Sequence, residues 1–150
     1  MRFLRPVILI TAAAVLVSAG PVSPAGAMNG RAKELRNDMF RLVNNSRQQH
    51  GVHPLKLSWA LSVAALHHSQ RMARQHRLYH TTDLYSVVRR YDPNTWGENV
   101  GAAATLKRME RMFMRSPPHR ANILNGAFKR IGVGVKRAGG WFWVTLDFCG

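Results

Sequence analysis

Apolar residues recur at helical spacing along the first half of the chain. The first run is Ala32, Leu35, Met39, Leu42 and Val43, and the small residue Ser46 continues the same spacing. It predicts a helix that ends before Gly51 and Pro54, which stop helices. Ser58 is a good N-cap for a second helix, which we expect to fade near Leu78. The inward stripe of this second helix is Leu61, Ala65, His68 and Met72. Residues 83–90 predict a further short helix.

The middle of the chain alternates turn signals with helix starts. Residues 91–101 are rich in Pro, Asn and Gly and predict a loop that is long enough to be functional. Thr105 is the expected N-cap of the next helix. The inward residues of that helix are Leu106, Met109 and Phe113. Ser116 followed by Pro117 predicts the N-cap and first residue of another helix, which ends at Leu124.

The pattern changes to a period of two near the C-terminus. Ile131, Val133 and Val135 alternate with glycines, and Gly139-Gly140 is a turn signal. The segment therefore predicts a β-hairpin whose second strand is aromatic. We expect these aromatic residues to pack in the core: Trp141, Phe142, Trp143 and Phe148. Helices followed by antiparallel strands indicate an α+β domain, with helices covering a small sheet.

The first residues have the organisation of a secretory signal peptide. Arg2 and Arg5 precede an apolar run over residues 7–17, and Ala25-Gly26-Ala27 is a cleavage signature. A membrane-spanning helix needs about 20 apolar residues, and the run is too short for that. We expect cleavage after Ala27, which leaves one domain over residues 28–150 in a secreted protein without a transmembrane span.

The charge is strongly positive, with 22 Lys and Arg against 7 Asp and Glu. Loss of the leader, with its two arginines, would lower the net charge from +15 to +13. Export argues against nucleic acid and favours lipid head groups or an anionic envelope polymer as the partner, although solubility alone is the alternative. Cys149, the single cysteine, cannot form an internal disulfide. We expect a monomer with a buried or free thiol, and a dimer through Cys149 is the alternative.

Three local signatures carry a family resemblance. They are Leu78-Tyr79-His80, then Trp96-Gly97-Glu98-Asn99-Val100-Gly101, then the run from Ser116 to Leu124. Together with the glycine-alternating strand and the aromatic strand, they resemble the CAP superfamily of cysteine-rich secretory, antigen 5 and pathogenesis-related proteins. The short bacterial SCP-like branch is the most similar. The resemblance covers about residues 34–149 and implies an α-β-α sandwich with a cleft.

The resemblance also implies which residues line that cleft. In many CAP domains two histidines and two glutamates converge there, and the histidines can hold zinc or another divalent ion. His80 and His119 match the histidines and Glu98 matches one glutamate. Ser116 stands where the second glutamate would be, and Phe113 replaces the usual tryptophan before it. This departure weakens the case for a metal.

The residues themselves leave several interpretations open. Two imidazoles and a carboxylate suffice for an open zinc site with an acidic water. Glu98 is equally suited to hold its glycine-rich loop through backbone N–H groups. His76 and His80 would share a helical face if the second helix continued that far, but the acid of a metalloprotease motif is missing. Ser116 is better explained as a helix cap than as a nucleophile.

Two functions are therefore compatible with the sequence. The first is a non-catalytic extracellular binding module with a cleft formed by His80, Glu98, His119 and Ser116, on a basic body for lipid or anionic envelope ligands. The second is a metal-dependent hydrolase of peptide, ester or lipid that uses the same cleft. Family membership does not choose between these functions, because function depends on the site.

Overall fold

The computed structural model of the protein describes residues 29–150, so the predicted signal peptide lies outside the described residues. Five α-helices are present in this part of the chain: α1 Gly30–Gln49, α2 Trp59–Gln75, α3 Leu84–Val88, α4 Leu106–Arg115 and α5 Pro117–Leu124. The four strands of the same region are β1 Lys56–Leu57, β2 Trp96–Ala103, β3 Arg130–Ala138 and β4 Trp141–Cys149. A short 3-10 helix spans Arg89–Tyr91.

The strands form one sheet in the order β1-β3-β4-β2. β1 runs parallel to β3, whereas β3 and β2 are both antiparallel to β4. In the register of the sheet, Leu146 of β4 lies opposite Asn99 of β2 on one side and Val133 of β3 on the other. β2 is therefore an edge strand, which leaves half of its backbone groups facing away from the sheet.

Helices cover both faces of the sheet, so the predicted α+β fold and α-β-α sandwich are confirmed. α1, α4 and α5 pack on one face, and α2 and α3 pack on the other. Residues alternate between the two faces along each strand. The larger core, on the α1 side, contains Leu35, Met39, Met109, Phe113, Ile131, Val133, Leu146 and Phe148.

Close approach between α2 and the sheet explains the glycine alternation of β3. A Cβ on Gly134 would lie 2.1 Å from the carbonyl carbon of Ala65, and one on Gly132 would lie 2.4 Å from the Cβ of Leu61. Real Cβ atoms do not approach other atoms this closely, so only glycine fits at these two positions. The alternating pattern that predicts a strand thus also sets the distance between two layers.

The prediction of a loop over residues 91–101 is wrong from Trp96 onward, because β2 begins there. Glycine and asparagine favour turns in isolation, but pairing along the whole of β4 outweighs this local preference. Gly97 and Gly101 also let α5 and α4 approach, since a Cβ on Gly101 would lie 2.7 Å from the Met109 sulfur. The turn-rich composition therefore reflects helix packing against an edge strand.

The aromatic residues of β4 divide between core and surface. Phe148 and Trp143 are buried and Phe142 is half-buried, but Trp141 is 50% exposed. The core prediction is wrong for Trp141 because this residue directly follows the Gly139-Gly140 turn, beyond the reach of the helices. Cys149 is buried with a free thiol.

Candidate functional site

Three predicted site residues come from three different elements and meet at the free edge of β2. His80 lies in the segment after α2, Glu98 lies within β2, and His119 lies in α5. The Nδ1 atom of His80 is 2.8 Å from Oε1 of Glu98. The positive charge of His80 contributes to the low pKa of His119, so the two imidazoles interact electrostatically. His80 and Glu98 are thus in direct contact beside an edge strand, and His119 lies within electrostatic range of His80.

Glu98 anchors the segment after α2 to the sheet. Its side chain is only 3% exposed. Besides His80, its carboxylate accepts hydrogen bonds from the Thr81 backbone N–H at 2.8 Å and from the Thr81 hydroxyl at 2.6 Å. Glu98 therefore has a structural role, as one of the two interpretations expected. Its partners are Thr81 and His80, and not the backbone N–H groups of its own loop. Thr81 was missed, although a hydroxyl residue beside a motif histidine is a recognisable signal.

His80 is fixed by one nitrogen and open at the other. Its side chain is 63% exposed although Nδ1 is bound to the buried Glu98. A carboxylate that accepts from one ring nitrogen holds the ring in place and leaves Nε2 available. No other residue within the described range forms a hydrogen bond to this Nε2. His80 is thus a positioned, exposed imidazole whose Nε2 has no partner in the described part of the chain.

His119 is held by contacts with two neighbouring side chains. Its Nδ1 lies 2.8 Å from the Ser116 hydroxyl, and its ring lies 5.1 Å from the Phe113 ring. Burial is the main reason that the pKa of His119 lies below its usual range, and the charge of His80 lowers it further. The imidazole is consequently neutral at pH 7, which suits it to accept a proton or to bind a polar ligand.

Ser116 occupies the N-cap position of α5 without acting as a side-chain cap. Pro117 and Pro118 carry no N–H groups, so the first turn of α5 offers few donors for a capping hydroxyl. The hydroxyl instead contacts His119. The capping role predicted for Ser116 is therefore corrected: the residue starts the helix, and its side chain belongs to the cleft.

Two asparagines lock α5 onto β2. Asn99 donates to the His119 backbone carbonyl at 2.9 Å. Asn122 donates to Oδ1 of Asn99 at 2.9 Å and to the Glu98 carbonyl at 3.2 Å. These side chains fix His119 relative to Glu98. Neither was predicted as a site residue, although each stands inside one of the signatures that carry the family resemblance.

Asp147 lies beneath the cleft, opposite Glu98 in the pairing of β4 with β2. It is 2% exposed, and its Oδ1 atom has no hydrogen-bond partner within residues 29–150. Burial raises the pKa of Asp147 well above its usual range, and the charge of Glu98 raises it further. A buried carboxyl group with a raised pKa opposite the buried Glu98 is a feature that sequence reasoning missed.

An apolar cavity of about 220 Å³ extends from the His119 wall along β2. Its walls include Leu78, Ala102, Met109, Met112 and Phe113. Ser116 and His119 are its polar lining residues, and no charged side chain lines it. Leu78 and Met112 are exposed large apolar residues at its mouth. A second cavity, about 520 Å³, lies away from the histidines between α1, α4 and the start of β4.

The side chains of His80, Glu98 and His119 supply only some of the ligands that a metal ion needs. Within residues 29–150, no group of three or more His, Cys, Asp and Glu side chains is arranged to hold an ion. Glu98 already accepts three hydrogen bonds from the protein. The His76 alternative is wrong in its geometry, because α2 ends at Gln75 and His76 takes a left-handed conformation. His80 therefore does not share a helical face with His76.

The structure is an α-β-α sandwich in which His80, Glu98 and His119 lie near the edge strand β2. The family model for CAP, described as the Cysteine-rich secretory protein family, matches residues 40–148. The chain therefore belongs to the CAP family, and the predicted resemblance is confirmed.

Known bacterial relatives agree with this assignment. Uncharacterized protein YkwD of Bacillus subtilis is 33% identical over 119 residues, which are 75% of this chain and 46% of that protein. An extracellular protein with an SCP domain from Bacillus anthracis has a TM-score of 0.67 at 24% identity, covering 87% of this chain and 45% of that chain. The chain thus spans about half the length of these two relatives.

A third bacterial protein has the same fold over nearly its full length. An outer surface protein from Borrelia burgdorferi has a TM-score of 0.69 at 18% identity. The match covers 78% of this chain and 92% of that chain. In the described part of this chain, no helix has both the length and the apolar character needed to cross a membrane.

Proposed function

We propose that this protein is a non-catalytic extracellular binding module that holds an amphipathic ligand in the cleft between His80 and His119. The apolar cavity that ends on the His119 imidazole carries this proposal. Small-molecule sites typically combine apolar walls with a few polar groups that fix orientation. A hydrocarbon chain would occupy the cavity, and its polar head would lie against His119 and the exposed His80.

Export is the second part of the proposal. The leader pattern of residues 1–27 supports secretion of a domain that spans residues 28–150. Relatives of this fold include an extracellular protein and an outer surface protein, which is consistent with that destination. The thiol of Cys149 is buried, which favours a monomer over a disulfide-linked dimer.

The third part of the proposal is that the basic surface of the protein concentrates it at an anionic envelope. The outer face of α4 carries four exposed cationic residues: Lys107, Arg108, Arg111 and Arg115. Charges that face solvent attract polyanions and raise encounter rates, and salt screens this attraction. Association with the envelope would bring the cleft close to lipids.

The cleft chemistry favours binding over hydrolysis. Both oxygens of Glu98 accept hydrogen bonds from Thr81 and His80, so this carboxylate is occupied as an anchor. Ser116 contacts His119, but no carboxylate forms a hydrogen bond to that histidine within residues 29–150. The Ser-His pair therefore lacks the third group that orients the base in serine hydrolases.

A metal-dependent hydrolase is the second candidate, supported by the electrostatic contact between two imidazoles. His80 and His119 would hold the ion through their Nε2 atoms, because both Nδ1 atoms already have protein partners. A bound divalent ion would supply an acidic water for hydrolysis. The chain's own contribution would be the fixed orientation of the two rings.

Ligand binding can be tested with a fluorescent fatty acid and cavity-filling variants of the purified protein. Ala102→Phe would fill the cleft cavity, and Asn45→Phe would fill part of the larger cavity between α1 and α4. Ala104→Phe is the matched control, because Ala104 is exposed two residues beyond Ala102. We expect only Ala102→Phe to abolish binding. Loss of binding in Asn45→Phe alone would show that the ligand occupies the larger cavity, which would overturn its assignment to the cleft.

Zinc titration of the wild type, His80→Ala and His119→Ala separates the two candidate functions. One-to-one binding that both variants lose would support the hydrolase. Binding that is absent, or insensitive to both variants, would favour the binding module. Binding to phosphatidylglycerol vesicles and to soluble polyphosphate tests the surface component, which would be abandoned if the protein bound neither of them at low salt.

A further inference from the structure

A pocket of about 310 Å³ lies at the end of the sheet where β1 and β3 run parallel, separate from the cleft. We call it the basic pocket, because Lys56, Lys129 and Arg130 line it together with His53. All seven acidic residues of the chain lie within residues 29–150, and none of them lines this pocket. Within these residues, the ion pairs of Lys and Arg involve Arg31 and Arg41 only.

The arrangement of these cations is unfavourable in the absence of an anion. Lys56 and Arg130 lie directly opposite each other in the pairing of β1 with β3. Like charges directly opposite each other on neighbouring strands destabilise a sheet. Lys129 adds a third positive charge next to this pair. A local conflict between neighbouring charges is expected where a site is built for a ligand.

The walls of the basic pocket are held rigidly from below by Arg47. This side chain is fully buried and donates to the backbone carbonyl of His53 at 2.8 Å on one wall. On the other side it donates to the carbonyl of Phe128, which lines the pocket, at 3.5 Å, and to the carbonyl of Asn125, which precedes the lining residue Gly126, at 3.0 Å. The Lys56 N–H also donates to the Lys129 carbonyl at 2.9 Å. The site is therefore preorganised, which reduces the ordering cost of binding.

Arg130 is also oriented before any ligand arrives. Its guanidinium lies 5.2 Å from the centre of the Tyr91 ring. The Tyr91 hydroxyl is in turn hydrogen-bonded to Ser58 at 2.6 Å. A guanidinium stacked in this way keeps its edge N–H groups available, and their planar fork matches the oxygens of a phosphate.

We propose that the basic pocket binds the phosphate group of a phosphate ester, such as a repeating unit of an anionic envelope polymer. The pocket has three cationic side chains and no carboxylate, so its charge is opposite in sign to that of a phosphate. The pocket volume corresponds to about ten water molecules at about 30 Å³ each, which leaves room for the esterified group. This inference locates the surface-binding part of the proposed function, on which it rests, and leaves the cleft unaffected.

The experiment compares two double variants that remove the same charge. Lys56→Gln/Arg130→Gln alters the basic pocket. Lys136→Gln/Arg137→Gln is the matched control on the same strand, where Arg137 stacks on Phe142 as Arg130 does on Tyr91. Affinity for soluble polyphosphate and for phosphatidylglycerol vesicles is measured at about 0.1 M salt, at which the Debye length is about 10 Å.

We expect the pocket variant to lose at least about tenfold in affinity, about 1.4 kcal/mol, while the control loses much less. Loss with polyphosphate only would identify a polymer as the source of the phosphate, and loss with vesicles only would identify a lipid head group. Equal losses in the two double variants would overturn the basic pocket and leave general surface binding intact. Failure of the wild type to bind either probe would overturn the basic pocket together with the surface-binding part of the proposed function, and would leave the proposal for the cleft unchanged.

Thermal unfolding supplies an independent readout and shows that the variants are folded. Added inorganic phosphate should raise the melting temperature of the wild type and of the Lys136→Gln/Arg137→Gln control, because a ligand that binds only the native state stabilises it. The increase should disappear in Lys56→Gln/Arg130→Gln. An unchanged increase in this pocket variant would contradict the proposal.

Discussion

Glu98 and Asp147 face each other across β2 and β4, and the charge of Glu98 helps to keep Asp147 protonated in the folded protein. Burial is the larger cause of the raised pKa of Asp147. The folded state therefore holds a proton at pH values where the unfolded chain has released it. By linkage, this group stabilises the fold fully below the ordinary pKa of Asp, about 4, and loses that contribution as pH rises toward the folded pKa.

Asp147→Asn should remove this pH dependence, because an amide of similar size does not ionise. We expect the free energy of unfolding of the variant to rise relative to wild type as pH increases from 4 to 8. Urea unfolding at several pH values measures this difference. Asp92→Asn, which removes an exposed carboxylate, is the control. Parallel curves for Asp147→Asn and wild type would show that Asp147 ionises in the same range in both states.

Thr81→Val should loosen the His80 wall of the cleft. The hydroxyl of Thr81 donates to the buried carboxylate of Glu98, and hydrogen bonds to charged groups contribute about 1.5–3 kcal/mol. We expect a loss of stability of this size by urea unfolding, together with faster amide exchange at residues 80–81. Thr82→Val is the matched control, because Thr82 is exposed. Similar losses in both variants would mean that the Thr81 hydroxyl is not an anchor.

Gly134→Ala should separate α2 from the sheet. The added methyl group would collide with the backbone of Ala65, which cannot rotate away. We expect a destabilisation of about 3 kcal/mol, at the upper end of the usual cost of overpacking. Gly30→Ala is the control, because a methyl group there meets no atom within 4 Å. The control should be stabilised by up to about 1 kcal/mol, since Gly30 is helical. A fully stable Gly134→Ala protein would contradict the close approach.

Arg47→Met should destabilise the junction between α1, the segment before β1 and the segment after α5. Arg47 donates to the carbonyls of His53, Ile123 and Asn125, which would lose a buried partner. We expect a loss of about 3 kcal/mol in the free energy of unfolding. Arg108→Met removes an exposed arginine and should change stability by no more than about 0.5 kcal/mol.

Cys149 should be unreactive in the folded protein. Burial, more than neighbouring charges, raises the pKa of its thiol, and thiolates are the reactive species. Labelling with a maleimide should proceed only after unfolding in urea, and non-reducing electrophoresis of the native protein should show a monomer. Rapid labelling without denaturant, or a disulfide-linked dimer, would show that the C-terminal end of β4 opens.

Local signals predicted most of the helices. Thr105 caps α4 by accepting from the Arg108 N–H, and Ser58 caps α2 by accepting from the Leu61 N–H, as expected. The prediction failed where pairing partners are distant in sequence. Trp96–Ala103 has a turn-like composition and becomes a strand only because β4, about 45 residues later, pairs with its whole length.

The candidate site was predicted in part. The resemblance selected His80, Glu98, His119 and Ser116, and the structure adds contacts that no sequence spacing reveals. Thr81 binds Glu98 from 17 positions away, and Asn122 binds Asn99 from 23 positions away. Asp147 attracted no attention because a lone aspartate in a strand has no local signature, and its unusual pKa arises only from burial beside Glu98.

Residue patterns and motifs were enough to predict the helices, the hairpin and the family, and composition showed the excess of positive charge, because these features depend on neighbouring residues or on residue counts. Long-range packing was needed to show that β2 is an edge strand, that helices cover both faces of the sheet, and that Lys56 faces Arg130. The difference arises from distance along the chain. Burial, shifted pKa values and clustered charges arise from contacts between segments that are far apart in sequence.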